Sequence, residues 1–185
     1  MNLEEYKNNA IQRLNKTIES NPKEKMYYAC MGLIEETGEI IAELRKPLFK
    51  GNFHEKTLDI NEIKKELGDL MWYIALICKS EDIDMNKFDF QEKNHDVSGR
   101  ESLIEISIKI GQDSGKIVEE YQKVYKDNID KSELIKKIEL QYSNICELVK
   151  GLNLTVDEIL SENIRKINSR YNEKGEAIKS EGYEK

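Results

Sequence analysis

The chain has few of the residues that interrupt helices or bind transition metals. It contains two prolines, two histidines and three cysteines in 185 residues. A ferritin-like di-iron bundle needs two E-x-x-H pairs, and this sequence has one, from Glu92 to His95. The cysteines show no C-x-x-C spacing of the kind found in zinc or redox sites. The scarcity of histidine excludes the di-iron class, and the scarcity of proline favours a helical chain.

The cysteines favour a protein of a reducing compartment, and the net charge limits the classes of partner. Cys30, Cys78 and Cys146 each lie in an apolar helical run, which predicts small buried side chains without disulfides. The net charge of −7 argues against a nucleic-acid binder, because such proteins carry a basic surface. The N-terminus has no apolar signal region, and no later stretch reaches membrane-spanning length. We therefore expect a cytoplasmic location and no membrane partner.

Helix-type spacing of apolar residues runs through the chain and predicts an all-α fold. Asn21 and Pro22 are typical of a helix start, with an N-cap residue and proline at the first helical position. Asp59 and Glu62 resemble a capping box. The pattern predicts helices at about 3–19, 22–46, 59–79 and 84–93, followed by a polar linker at 94–99.

Two of these helices each carry a pair of acids three positions apart. The pairs are Glu36 with Glu39, in GLIEETGEIIAELRK, and Glu66 with Asp69, in EIKKELGDLMWYIALIC. Positions i and i+3 are neighbours on one helix face, so two such helices side by side aim four carboxylates at one point. Four carboxylates cannot all stay ionised in a small dry space unless a cation neutralises them. Oxygen ligands without thiolate or imidazole indicate Mg²⁺, with Mn²⁺ as the alternative.

In an acid-rich chain, a solvated acidic helix face is the alternative explanation for any i,i+3 acid pair. Asp69 is the most informative of the four acids, because its apolar surroundings argue against that alternative. One apolar stripe of its helix comprises Ile63, Leu67, Leu70, Met71, Ile74 and Ile77. A second cluster, of Trp72, Tyr73 and Leu76, surrounds Asp69. A helix that is apolar on both sides is buried on both sides, and a buried charge needs a partner. The helix before it has a core stripe of Leu33, Ile34, Thr37, Ile40, Ile41 and Leu44, with Gly32 leaving room beside the acids.

The order of three motifs resembles a known superfamily. L-I-E-E-T-G-E-I, K-E-L-G-D-L-M-W-Y and the later N-I-R-K-I-N-S-R-Y are similar to the E-x-x-E, E-x-x-D and closing N-x-x-K-L-x-x-R-Y motifs of the MazG-like all-α nucleoside triphosphate pyrophosphohydrolases. Dimeric dUTPases and phosphoribosyl-ATP pyrophosphohydrolases belong to the same superfamily. The resemblance implies a Mg²⁺-dependent enzyme that hydrolyses a nucleoside triphosphate to the monophosphate and pyrophosphate, clearing unwanted nucleotides from the pool.

The resemblance also implies roles for individual residues. Glu36, Glu39, Glu66 and Asp69 are the expected metal ligands, and Glu36 is the expected base that deprotonates the attacking water. Basic groups are needed to neutralise the phosphates, and the expected substrate-binding residues are Asn163, Lys166, Arg170, Tyr171, Lys46 and Lys50. A solvated helix end is the alternative for Lys166 and Arg170. The family commonly has Pro and Gly-Phe after its R-Y, whereas Tyr171 is followed here by Asn-Glu-Lys-Gly, so substrate closure by this tail is not implied.

The second half of the chain resembles a degenerate copy of the first. Aligning Gly115 with Gly38, and the helix from Glu133 with the helix of Glu66, preserves the apolar positions. The acids are lost, because Asp113, Lys116, Lys137 and Leu140 replace Glu36, Glu39, Glu66 and Asp69, respectively. Repetition on this scale indicates that neither unit buries its apolar face alone. The alternative is that any two amphipathic helices align loosely.

A duplication predicts a pseudo-dimer with one working site. The expected organisation is a first repeat at 1–93 with the metal site, a linker at 94–99, a degenerate repeat at 100–172, and a charged, disordered tail at 173–185. The second repeat is expected to form a wall of the base or sugar pocket, and further pairing of the chain into a homodimer is left open. The base and sugar preference stays open. A non-catalytic helical module that binds or regulates is the main alternative function, because it would keep the apolar stripes without needing Asp69 inside one.

Overall fold

The computed structural model describes residues 1–50, 57–88, 99–172 and Ile178. Its regular elements in these residues are helical, which confirms the all-α fold, and none of these helices is long and apolar enough to cross a membrane. The elements are α1 (Leu3–Ile11), α2 (Lys16–Glu19), α3 (Pro22–Leu48), α4 (Ile60–Ser80), a 3₁₀ turn (Met85–Lys87), α5 (Arg100–Asp127), α6 (Ser132–Gly151) and α7 (Val156–Arg170). The predicted linker, except for Gly99, and the predicted tail, except for Ile178, lie outside the described residues.

Side-chain caps explain where several helices begin. The Asn21 side chain accepts hydrogen bonds from two backbone N–H groups at the start of α3, and Asp59 does the same for one at the start of α4. The single helix predicted at 3–19 is wrong, because α1 ends at Ile11 and Asn15 caps a separate α2. An Asn side chain that bonds the following backbone competes with helix continuation. The helix predicted at 84–93 is a 3₁₀ turn as far as Phe88, and its remainder lies outside the described residues.

The long helices form a row in which α3 packs against both α4 and α5, and α6 packs on α5. Helices α1 and α7 pack on α4 and on each other. Helix α4 is therefore covered from two sides, and its predicted core stripe is fully buried. On α3, Ile34 departs from the prediction, because 47% of its surface is exposed. The three cysteines are buried and free, as predicted.

One contact between α3 and α5 supports the predicted duplication. The hydroxyls of Thr37 and Ser114 lie 2.7 Å apart, and a Cβ added to Gly111 would lie 3.1 Å from Ile41, so the two helices run antiparallel. The alignment that places Gly115 on Gly38 also places Ser114 on Thr37. In a two-fold contact, a residue near the axis meets its own equivalent. The duplication itself stays a prediction.

Of the four acid positions in the alignment, the second half keeps a carboxylate only at Asp113, and protein groups neutralise it. Lys116 Nζ lies 2.9 Å from Asp113 Oδ1, and Asn144 Nδ2 donates to Asp113 Oδ2 at 2.7 Å. In the alignment, Asp113 occupies the position of Glu36 and Lys116 that of Glu39. An ammonium group therefore stands where the first half has a second carboxylate. This arrangement removes the charge repulsion that a cation would relieve.

Replacing Lys116 by methionine is expected to destabilise the fold. The Asp113 side chain is 5% exposed, so loss of its charged partner leaves it with one hydrogen bond and an expected cost of about 1–3 kcal/mol in unfolding free energy. Urea unfolding at pH 7 measures this cost. Lys136→Met is the control, because Lys136 pairs with Glu133 on the exposed surface and should change nothing measurable. Equal stability of the two variants would contradict the prediction.

Candidate metal and nucleotide site

Three acids from two helices converge on one point. Glu36 and Glu39 lie one turn apart on α3, and Glu66 lies on α4, which packs beside α3. One carboxylate oxygen of each residue lies within 4.8 Å of the others. The i,i+3 spacing brings the α3 acids to one face, and the packing of α4 supplies the third. Three of the four predicted ligands therefore meet, and their hard oxygen donors suit Mg²⁺ or Mn²⁺.

The electrostatics of this cluster also suit a divalent cation. The pKa of Glu36 is raised to about 8, mainly by burial and in smaller part by the negative charges of Asp69, Glu39 and Glu66, against an opposing effect of Lys166. Burial likewise raises the pKa of Glu66 to about 7, together with a hydrogen bond to Glu39. Carboxyl groups that hold protons near neutral pH can exchange them for a metal ion, since a cation neutralises the same charge.

Asp69 is close to the cluster but has other partners. Its Oδ1 accepts a hydrogen bond from Asn163 Nδ2 at 2.9 Å, and its Oδ2 forms an ion pair with Lys166. Both partners lie on α7. The expectation that Asp69 needs a partner is therefore met by an amide and an ammonium group. Its role as a fourth metal ligand stays a prediction, as do the substrate-binding roles of Asn163 and Lys166.

A cavity of about 170 Å³ lies beside the acids, among α1, α3, α4 and α7. Its walls combine three kinds of side chain: the acids Glu36 and Asp69, the cations Arg13, Lys166 and Arg170, and the aromatic residues Tyr28, Trp72, Tyr73 and Tyr171. The Trp72 and Tyr73 ring centroids are 4.9 Å apart, and Tyr28 lies 5.6 Å from Tyr73. The cavity therefore offers charged groups for phosphates and aromatic faces for a base.

Gly32 determines where one aromatic wall lies. A Cβ at Gly32 would lie 2.0 Å from the Tyr73 ring, so the ring occupies the space that a side chain would fill. The sequence predicted that Gly32 leaves room beside the acids, and Tyr73 uses that room. Tyr73 in turn contacts Tyr28 and Trp72.

Comparison with known proteins agrees with this geometry. Residues 28–97 match the model of the MazG nucleotide pyrophosphohydrolase domain. This segment is MazG-like. The chain is also similar to the Gene 37 protein of Mycobacterium phage L5, with 33% identity over 60 residues. That alignment covers 32% of this chain and 53% of the phage protein, about half the relative's length. No solved structure matches the chain significantly.

The MazG-like segment contains the acids and most of the aromatic wall, but not the whole site. Lys166, Arg170 and Tyr171 of the closing motif line the cavity, and they lie outside the matched residues. Their binding of substrate stays a prediction. Among the described residues, α5 and α6 contribute nothing to the lining of this cavity. The wall predicted from the second half therefore comes from α7 and Tyr171 alone.

Two predicted residues lie elsewhere. Lys46 Nζ donates to Glu43 at 3.1 Å, and Lys46 and Lys50 line a separate surface pocket with Asp59, next to the start of α4. Their predicted contact with substrate in the MazG-like site has no support from this cavity. Lys46 lies ten positions after Glu36 on α3, about 15 Å further along the helix axis. This distance keeps it away from the acid cluster.

Besides Ala10 and Ile167, four aromatic or charged residues of the cavity wall were not predicted as site residues. The sequence did place Trp72 and Tyr73 in a second apolar cluster around Asp69, and that cluster could have indicated that both residues belong to the site. Tyr28 had no such signal, and neither did Arg13, which lies just after α1 and pairs with Asn168 of α7. Its position depends on how α1 and α7 pack, which no local pattern reports.

Proposed function

We propose that the protein is a Mg²⁺-dependent nucleoside triphosphate pyrophosphohydrolase, which converts an NTP or dNTP and water to the monophosphate and pyrophosphate. The observation that carries this proposal is the position of the three-acid cluster at the wall of a cavity with aromatic and cationic sides. The match of residues 28–97 to a pyrophosphohydrolase family supports the same reaction.

Each group of side chains has a role in this reaction. Glu36, Glu39 and Glu66 would hold the cation, with Asp69 as the predicted fourth ligand. When bound, Mg²⁺ neutralises the acids and the phosphate oxygens and thereby lowers the charge barrier to attack. Glu36 accepts a proton from water, whose oxygen joins phosphorus while the α–β bridging bond breaks and pyrophosphate leaves.

The remaining walls would bind the two ends of the nucleotide. Lys166 and Arg170, with Arg13, place positive charge on the phosphate side of the cavity. Trp72, Tyr73 and Tyr28 present aromatic faces, which stack on any base with little sequence preference. This arrangement supports a nucleotide substrate and leaves the choice between dUTP, dCTP and other nucleotides to experiment.

Pyrophosphate release from a panel of ribo- and deoxyribonucleoside triphosphates, with Mg²⁺ and with chelator, tests the proposal. We expect metal-dependent release by the wild type, strongly reduced in Glu39→Gln and Asp69→Asn. Glu35→Gln is the matched control, because Glu35 is an exposed neighbour on the same helix and lies outside the acid cluster. No turnover of any nucleotide by well-folded wild type would overturn the proposal.

Nucleotide binding is expected to change the fluorescence of Trp72, which is the single tryptophan of the chain. A nucleoside monophosphate should quench the emission by stacking in the cavity, whereas ribose 5-phosphate should not, because it has no base. Titration of both ligands in Mg²⁺ measures this difference. An equal response to the two ligands would place the base outside the aromatic wall.

A non-catalytic binding or regulatory module is the second candidate function. The observation that favours it is the pairing of Asp69 with Lys166 and Asn163, which satisfies this half-buried charge without a metal. A chain that binds nucleotide without turning it over would support this alternative. Cytoplasmic location and pairing into a homodimer stay predictions, the second of which light scattering of the purified chain tests.

A further inference from the structure

Tyr6 is a buried residue outside the MazG-like segment that reaches the acid site. It lies on α1, has no exposed surface, and places its hydroxyl 2.8 Å from Asn163 Oδ1 and 3.3 Å from the Gly68 carbonyl oxygen. A phenol has one proton to donate, and the Asn163 oxygen is the closer acceptor. Helix α1 therefore makes a direct polar contact with the closing motif on α7.

This contact determines which way the Asn163 amide faces. The side chain is buried, with 2% of its surface exposed, so water does not compete for its polar atoms. Because Oδ1 accepts from Tyr6, Nδ2 must point the other way, and there it donates to Asp69 Oδ1 at 2.9 Å. The reversed amide would set its oxygen against the Asp69 carboxylate, which offers no proton when ionised.

The packing of α7 on α4 brings these groups together. A Cβ at Gly68 would lie 2.9 Å from the Cβ of Asn163, so the absence of a side chain at Gly68 allows the close approach. Burial and the charge of Asp69 both raise the pKa of Tyr6 well above its ordinary value, so the phenol keeps the proton that it donates. Tyr6 and Asn163 are thus shielded from water, and their hydrogen bonds run in one direction from the phenol to Asp69, which lines the cavity.

We propose that Tyr6 is a positioning residue that acts through Asn163 to hold Oδ1 of Asp69, which leaves Oδ2 free to exchange the Lys166 ammonium group for the cation. This inference rests on the proposed function for its catalytic readout. Lys166 alone cannot hold the carboxylate in one orientation, because its ammonium sits on a flexible four-carbon stem. Partners behind a metal ligand typically change affinity or activity about 10–100-fold when they are removed.

A double-mutant cycle of Tyr6→Phe and Asn163→Ala tests the proposal. Tyr6→Phe keeps the ring and removes the hydroxyl, and we expect about a tenfold loss of kcat/KM and of Mn²⁺ affinity. In the Asn163→Ala background the same substitution should have almost no further effect, because the group through which Tyr6 acts is absent. If Tyr6 affected only stability, the losses of kcat/KM and of Mn²⁺ affinity in the two single variants would multiply in the double variant.

Tyr121→Phe is the matched control, because Tyr121 is equally buried, bonds Ser80, and lies on α5 away from the cavity. It should keep wild-type turnover and Mn²⁺ affinity. Multiplicative losses, or a Tyr6→Phe variant that behaves like Tyr121→Phe, would overturn the proposal. If the wild type binds Mn²⁺ without turning over any nucleotide, the proposed function fails and the cycle is decided on Mn²⁺ affinity. If the wild type neither binds Mn²⁺ nor turns over any nucleotide, both proposals are overturned.

Discussion

Replacing Glu36 by glutamine is expected to abolish pyrophosphate release while making the metal-free protein more stable at pH 8. Loss of a general base costs about 10²–10⁴-fold in rate, and the amide is also a poorer cation ligand. Glutamine keeps the size of the side chain but removes a negative charge that burial and three neighbouring carboxylates disfavour. Activity and stability should therefore change in opposite directions.

The pH dependence of stability follows from the same carboxyl group. In the folded chain the pKa of Glu36 is about 8, against 4.5 as its ordinary value. Between these values the folded state holds more protons than the unfolded state, so the free energy of unfolding falls as pH rises from about 4.5 to about 8. Burial and the hydrogen bond that protonated Glu66 donates to Glu39 make Glu66 act in the same direction, up to about pH 7.

Thermal unfolding in chelator at several pH values between 5 and 9 measures this effect. The wild type should lose stability across the range, Glu36→Gln should lose less, and Mg²⁺ should stabilise the wild type most at high pH, where the acids are free to bind it. Glu35→Gln again serves as the control and should follow the wild type. An unchanged slope in Glu36→Gln would show that Glu36 ionises normally in the folded chain.

Gly32→Ala is expected to displace Tyr73 and to impair nucleotide binding more than folding. The new Cβ would lie 2.0 Å from the Tyr73 ring, so the ring must leave its place beside Glu36. Because Tyr73 also contacts Tyr28 and Trp72, the aromatic wall rearranges with it. Crowding of this kind costs about 1–3 kcal/mol in stability.

Gly38→Ala is the matched control on the same helix. Nothing lies within 4 Å of a Cβ at Gly38, so alanine there should stabilise α3 by about 0.5–1 kcal/mol. Chemical unfolding measures both variants, and Trp72 emission together with the KM for the preferred nucleotide reports on the wall. A Gly32→Ala variant with unchanged emission and KM would show that Tyr73 finds a second position without affecting the cavity.

Much of the site was predictable because its signals are local. The i,i+3 spacing of Glu36 and Glu39 depends only on helix geometry, and Asn21 and Asp59 mark helix starts through bonds to their own neighbours. The two acid pairs on neighbouring helices predicted four carboxylates at one point. Glu36, Glu39 and Glu66 meet there, whereas Asp69 pairs with Lys166 and Asn163.

Most of the errors concern contacts between distant segments, and one concerns a local break in a helix. Ile34 belongs to the apolar stripe of α3 by spacing, yet it is exposed because the neighbouring helices cover other sides of α3. The break between α1 and α2 was missed because the apolar spacing continues across it. Lys46 and Lys50 carry the right charge for phosphate, but they line another pocket, since a rigid helix separates them from the acids.

The sequence by itself determined the helical class, the acid pairs and the kind of cation they suit, because these depend on residue type and on spacing within one helix. The partners of Asp69, the orientation of the Asn163 amide and the position of Arg13 were decided only by the tertiary structure. Those features depend on the packing of α1 and α7 on α4, which brings together residues up to 157 positions apart. Long-range packing of this kind follows from the combined burial of many side chains, and no local pattern records it.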